Sequence, residues 1–327
     1  MEQGFRSPQF WYTFGPHEPA IRLADGGSIR VICPDSDNQL SDGHVLSETE
    51  RGKSAGSSAF QGNPMAGPIA IDGAMPGDVL AVTINAIELD CPTGQTGLAP
   101  NHGLLAGHQL DSSDTTTVPR HLYRWHIDPI TGIARLLNPL GPHSLEVPLN
   151  PFIGCIGVCP SAGQSISTLF AGSHGGNMDI PALAPGATLY LPVNVEGGLL
   201  MMGDIHAAQG HGEIIGGGIE TSGTIDCTIR VIRGKVVNRP RLRDATQLMA
   251  IASDGDLRTA IQLAYSDLLN WLAANLHMNR SDAYNLLSQT GSITIGNLVT
   301  SPYTVGASIP NSVLPMEALQ NLEGDGR

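Results

Sequence analysis

Charge is scarce in this sequence, and basic charge is scarcer still. Of 327 residues only 14% are charged, with 17 Lys and Arg against 30 Asp and Glu, and the basic residues form no cluster. A formal charge of −13 without a basic patch repels phosphate backbones and anionic lipid, so nucleic acid and membrane surfaces are excluded as expected partners. No apolar run approaches the roughly 20 residues that a membrane-spanning helix requires. The opening segment, MEQGFRSPQFWYTF, has no basic stretch leading into an apolar one, and no secretory signal is expected from it. Cysteine is sparse and odd in number: Cys33, Cys91, Cys155, Cys159 and Cys227 sit in largely apolar surroundings. That usage suits reduced thiols in a cytoplasmic protein better than a disulfide framework. There is also no internal repeat and no low-complexity tail.

What is abundant is glycine (40) and proline (23). Such a density of chain-reversing residues favours short strands and tight turns over a helical bundle. Strand-like runs occur before and after the turn Asp25-Gly26-Gly27, and again over 67–89, where Pro76-Gly77-Asp78 makes the reversal. Further strands are expected in 120–136, 144–149, 151–167, 187–195, 198–202 and 225–232, the last alternating cleanly as IDCTIRVI. Residues 47–62 read as a Ser/Gly-rich loop, and 91–119, which lose apolar periodicity, as a long one.

Helical spacing emerges only late. Ser253 and Asp256 resemble a capping box, and Leu257, Ile261, Ala264, Leu268 and Leu272 repeat on one face to about residue 276. A shorter helix over 281–288 and a strand through Ile293 and Ile295 follow. The expected fold is mainly β with a smaller α+β part: a β-sandwich or barrel-like core over 1–240 and a C-terminal helical part over 241–327 packed on it. Such a protein is expected to form a homo-oligomer, because pairing protects edge strands.

The chemistry gathers in two segments. GSHGGNMD places Ser173, His174, Asn177 and Asp179 among glycines that let backbone approach a ligand; alone it could equally be a polar turn. GDIHAAQGHGE then supplies Asp204, His206, Gln209, His211 and Glu213. Residues two apart on a strand face one side, so Asp204 and His206 project together, a pairing suited to Zn²⁺. Gly210 and Gly212 let the chain turn Glu213 toward the same point, where a carboxylate can take a proton from metal-activated water.

These motifs carry a resemblance. GGNMD, a strand containing LPV, and GDIHAAQGHGE are similar to the signature of the acetamidase/formamidase family. Asn63-Pro64, Gly67-Pro68-Ile69, Gly73-Ala74 with Pro76-Gly77-Asp78, Asp35 in PDSDNQL, and Asp282-Ala283-Tyr284 with Leu286 and Ser288 extend the likeness over most of the chain. The resemblance implies hydrolysis of a small linear or cyclic amide with the help of a divalent metal, zinc being the expected one. It implies Asp204, His206, Asp35 and Asp179 as metal ligands, Glu213 as general base, and His174 and Asn177 at the substrate or its developing oxyanion. His211 departs from the pattern, standing where the family usually has an acid.

Rival readings are weaker. Lys53 with Ser54, Ser57 and Ser58 only faintly resembles a serine amidase, which needs two distant segments. Cys155 and Cys159 have no adjacent acid or base to make a nitrilase-like thiol. His17, His102 and His126 read as turn, loop and strand-face residues. A non-catalytic metal- or carbohydrate-binding β-sandwich would keep the glycines and carboxylates but would need no base at Glu213.

Overall fold

The computed structural model describes residues 4–52, 62–100, 102–106, 120–276 and 278–315. Two large antiparallel-rich sheets lie face to face. In the first, of nine strands, Ser28–Cys33, Gly223–Ile232, Val79–Glu88, Thr188–Pro192, Arg241–Arg243, Gln247–Asp254, Tyr303–Pro310 and Ser292–Ile295 are successive neighbours, with Phe5–Arg6 at the edge. In the second, of 11 strands, Leu200–His206 is a hub that pairs with Phe152–Gly157, Ala66–Ile71 and Glu220–Thr221. Neither sheet closes on itself among the described residues, so the core is a sandwich and not a barrel.

Alternation builds the core. Val31, Leu80, Val82, Ile225 and Ile229 of the first sheet meet Ile153, Ile156, Leu200, Met202 and Ile205 of the second in one buried cluster. The strand Gln247–Asp254 serves two cores at once. Met249 and Ile251 join that cluster, while Leu248, Ala250 and Ala252 turn the other way toward Ala260, Ala264, Leu268 and Leu272 of helix α1 (Leu257–Leu276). Helix α2 (Arg280–Thr290) adds Ala283 and Leu287 to that second cluster. Arg241 locks α1 to the sheet through Asp267, with Nε donating at 2.7 Å and Nη2 at 3.1 Å. The first sheet runs across residue 240 without a break, since Thr188–Pro192 pairs with Arg241–Arg243. Among the described residues no helix is long and apolar enough to cross a membrane.

Two local expectations need correction. The stretch expected as one long loop contains the strand Thr93–Leu98, paired with His121–Asp128; residues 107–119 lie outside the described part. Its inward positions are Gly94 and Thr96, small because Ile219 and the Gly218 carbonyl crowd them, so no apolar alternation marks it. Helix α1 is capped by Asp256, whose carboxylate accepts the Thr259 N–H at 2.8 Å, while Ser253 belongs to the preceding strand.

Candidate active site

The strand Leu200–His206 is buried along its whole length, and its last turn carries the polar residues to the interior. Asp204 and His206 do face one point, but not by plain alternation: Asp204 sits at φ 60°, in the left-handed region. Asp179 (φ 51°) and Glu213 (φ 50°) are held in the same uncommon conformation. Strain of this kind persists only where the surroundings impose it, and it gathers at functional sites. His206 lies opposite Glu220 across the antiparallel pair with Glu220–Thr221, which makes those two side chains cross-strand neighbours.

Room for the carboxylates comes from Gly154 on the adjoining strand. A Cβ there would lie 2.7 Å from Asp204 Oδ2 and 2.9 Å from Asp179 Oδ1. Carboxamides then fix the acids. Asn63 donates to Asp204 Oδ2 (2.7 Å) and to Asn177 Oδ1 (3.1 Å), and Asn177 donates to Asp179 Oδ2 (2.9 Å). Asn297 donates to Asp179 Oδ2 (2.9 Å) and Glu213 Oε2 (3.2 Å), its own oxygen being held by the backbone N–H groups of Val299 and Thr300. Each acid is thus clasped by one oxygen. Asp179 Oδ1 and Glu220 Oε2 are buried without any partner.

His206 has an assigned tautomer. The Gln209 amide N–H₂ faces the Asp179 carbonyl (3.1 Å), so its oxygen is the atom 2.7 Å from His206 Nδ1, and Nδ1 is the donor. Nε2 is left 3.1 Å from Glu220 Oε1 and 3.5 Å from Asp204 Oδ1 without a well-formed hydrogen bond to either. Two groups of ligand atoms within 4.8 Å of one another share this imidazole: Asp179, His206 and Glu213, and Asp204, His206 and Glu220.

The cluster concentrates negative charge in a dry place. Burial pushes the Asp179 carboxyl up to about 7 and that of Asp204 up to about 6, against the attraction of His206. Burial, with Asp179 beside it, raises Glu213 well above the usual carboxylate range. Burial alone would lower His206, but Glu220 and Asp204 carry it well above an ordinary imidazole. Carboxylates facing one another this way need protons or a cation. The Nε2 atom of His206, the unpartnered carboxylate oxygens and the gap kept by glycine together make a group of side chains that could hold a divalent metal ion once their protons are released.

Two cavities adjoin the cluster. One, about 460 Å³, has Gln209, His211 and Glu213 in its wall beside Trp125, Val147 and Ile219. The other, about 330 Å³, is polar and lined by Asp35, Asp42, Arg124 and Glu220. Asp35 follows the strand Ser28–Cys33, and its Oδ1 accepts the backbone N–H groups of Asp37 (3.0 Å) and Gln39 (2.8 Å). It faces the second cavity with Glu220 and belongs to neither ligand group. Asn177 lies inside the carboxamide network. His174 is buried edge-on to Phe14, ring centroids 5.2 Å apart, and burial holds it down to about 4, hence neutral. His211 is exposed. Cys155 and Cys159 are buried with thiols pushed up by burial, and Lys53, Ser54, Ser57 and Ser58 fall outside the described residues. Asn63 was named in the sequence only within the Asn63-Pro64 motif, without a role at the site, and Asn297 and Glu220 were not singled out as site residues.

A family model described as the Acetamidase/Formamidase family matches residues 92–315. The chain belongs to that family. Among relatives, a formamidase from Methylophilus methylotrophus is 28% identical over an alignment of 268 residues, with 68% of this chain and 63% of that protein covered, so less than two thirds of the relative is spanned. Among solved structures, an acetamidase from Yersinia enterocolitica is 32% identical with a TM-score of 0.79, covering 96% of this chain and 94% of that one. A recombinant predicted acetamidase/formamidase from Thermoanaerobacter tengcongensis is 30% identical with a TM-score of 0.80, covering 94% and 95%. The family likeness thus takes in the carboxylate segments from Asp179 to Glu220 and the Asn297 clamp together.

Proposed function

We propose that this chain hydrolyses a carboxamide to a carboxylate and ammonia or an amine, with a divalent metal, zinc by the donor set, held among Asp179, Asp204 and His206. The observation that carries the reading is the buried acidic cluster whose ligand atoms lack partners, in a chain of this family. Glu220 stands close enough to His206 to join the ligands. Asp35, which the resemblance places among them, we assign to the outer wall on the Glu220 side.

A bound divalent cation supplies Lewis acidity toward the amide carbonyl and toward water. Glu213 moves the proton. It lines the larger cavity, Asn297 fixes its Oε2, and its raised pKa suits a group that takes a proton from the attacking water and gives it to the leaving nitrogen. As the carbon–oxygen bond forms and the carbon–nitrogen bond breaks, that proton leaves with the amine. Gln209, accepting from Nδ1, leaves the Nε2 atom of His206 facing the carboxylates, where it would give up its proton to ligate a bound cation. Asn63 and Asn177, linked to each other and donating to Asp204 and Asp179, hold one oxygen of each carboxylate in place. His174, neutral and buried, we place as a support for the turn rather than as a charged group.

The test is amide hydrolysis by the purified protein, with divalent metal and with chelator, followed as ammonia or amine release. Glu213→Gln is expected to lower turnover about 10²–10⁴-fold while retaining bound metal. Unchanged turnover in that variant would remove Glu213 from the mechanism, and full activity in demonstrably metal-free protein would refute the metal role. A protein that binds metal and releases nothing from any amide would favour the non-catalytic binding module.

A further inference from the structure

The larger cavity is out of proportion to the smallest amides. At about 460 Å³ it falls within the ~300–1,000 Å³ range of pockets that enclose drug-sized ligands, whereas formamide has three non-hydrogen atoms. Its wall is mostly hydrocarbon: Trp125, Val147, Pro148, Ile214, Ile215 and Ile219. Several polar groups in that wall are engaged elsewhere, while the Trp125 indole N–H is buried there without a partner. Thr96 donates to the Gly218 carbonyl at 2.6 Å, and both ends of the Gln209 amide serve His206 and the Asp179 carbonyl. Glu213 belongs both to this wall and to the carboxylate cluster, so a ligand filling the cavity has its polar end within reach of the proposed base.

We infer that the substrate is a carboxamide bearing an apolar substituent at least the size of a phenyl ring, which occupies this cavity while the amide meets Glu213. Formamide and acetamide leave the cavity unfilled and gain nothing from its walls. The inference rests on the hydrolase reading above and narrows it to a substrate class.

The experiment compares kcat/KM for formamide, acetamide, butyramide, hexanamide, phenylacetamide and acetanilide on the metal-loaded enzyme. The expected result is a rise of about fourfold per added methylene until the wall is reached, with an aryl amide far above formamide. Val147→Trp, which fills the cavity from a half-buried wall position, is expected to lower the phenylacetamide-to-formamide ratio of kcat/KM at least tenfold; Ile215→Trp is read the same way should the first variant fold poorly. In parallel, equilibrium dialysis of phenylacetamide should show saturable binding to the wild type, weakened at least tenfold in the variant. A flat or falling chain-length profile, or a ratio untouched by both variants, would overturn the inference while leaving amide hydrolysis intact. Loss of all hydrolysis with phenylacetamide still bound in the cavity would instead count against the hydrolase reading alone. Absence of both overturns both.

Discussion

The lack of one side chain at residue 154 keeps two carboxylates in place. A methyl group there would enter the space of Asp204 Oδ2 and Asp179 Oδ1, neither of which can retreat without breaking a bond to Asn63 or Asn177. Gly154→Ala is therefore expected to weaken metal binding at least tenfold and to cost about 1–3 kcal/mol of stability through overpacking. Elemental analysis and urea unfolding measure the two effects; a variant that retains full metal would show that the carboxylates do not depend on this gap. At this same scale the sequence offered Asp179, Asp204, His206 and Glu213, because acids and imidazoles among glycines at short spacing stand out. It offered Asn63 only as part of the Asn63-Pro64 motif, with no role attached, and Asn297 not at all. A carboxamide beside proline, or one opening a turn, carries no spacing signal, and its meaning arises only when the fold sets it against an acid far away in sequence. Glu220 was hidden for another reason: it becomes a neighbour of His206 through strand register.

At the scale of elements, the strand Leu200–His206 and the turn after it act together. Gln209, three residues beyond the imidazole it orients, is tied to the backbone of the Asp179 turn. Gln209→Leu removes the acceptor at Nδ1 and should reduce metal affinity about 10–100-fold. Competition against a chromophoric chelator reads this directly, and an unaltered affinity would mean that the tautomer is fixed by other means. Strands facing solvent on one side, such as Gly223–Ile232, were plain from alternation. Gln247–Asp254 was not assigned, because both its faces are covered, one by the opposite sheet and one by α1, and a run buried on both sides does not alternate in sequence; Tyr303–Pro310, which sets Val305, Ala307 and Ile309 toward α1, was not assigned either. Thr93–Leu98 escaped for the opposite reason, its inward residues being glycine and threonine.

For the whole molecule, the buried cluster ties stability to pH and to metal. Asp179, held at about 7, and Glu213, held higher still than its ordinary range, keep protons in the folded state that the unfolded chain has already released above pH 5. His206, raised above its unfolded value, does the same above pH 6.5. The native state therefore binds more protons than the unfolded one, and stability of the metal-free protein falls as pH rises from 6.5 to 8. His174 opposes this trend most strongly below the window and weakly in its lower part, up to about pH 7.5, where the unfolded imidazole still holds part of a proton that the buried one has released. Metal displaces those protons, so the gain in Tm on adding zinc should grow with pH across the same interval. Thermal scans of chelated and zinc-loaded protein at pH 6.5, 7.25 and 8 check both slopes; a metal-free Tm that climbs with pH would contradict the burial of these acids.

Asn297 gives the order in which the protein can become competent during its synthesis. The clamp that joins Asp179 to Glu213 comes from a residue made long after either of them, just before the strand Tyr303–Pro310. A nascent chain on the ribosome can lay down both carboxylate segments and still lack the carboxamide that ties them together. The buried cluster is thus completed only once residue 297 has been made, and any shorter chain would hold Asp179 and Glu213 without this tie.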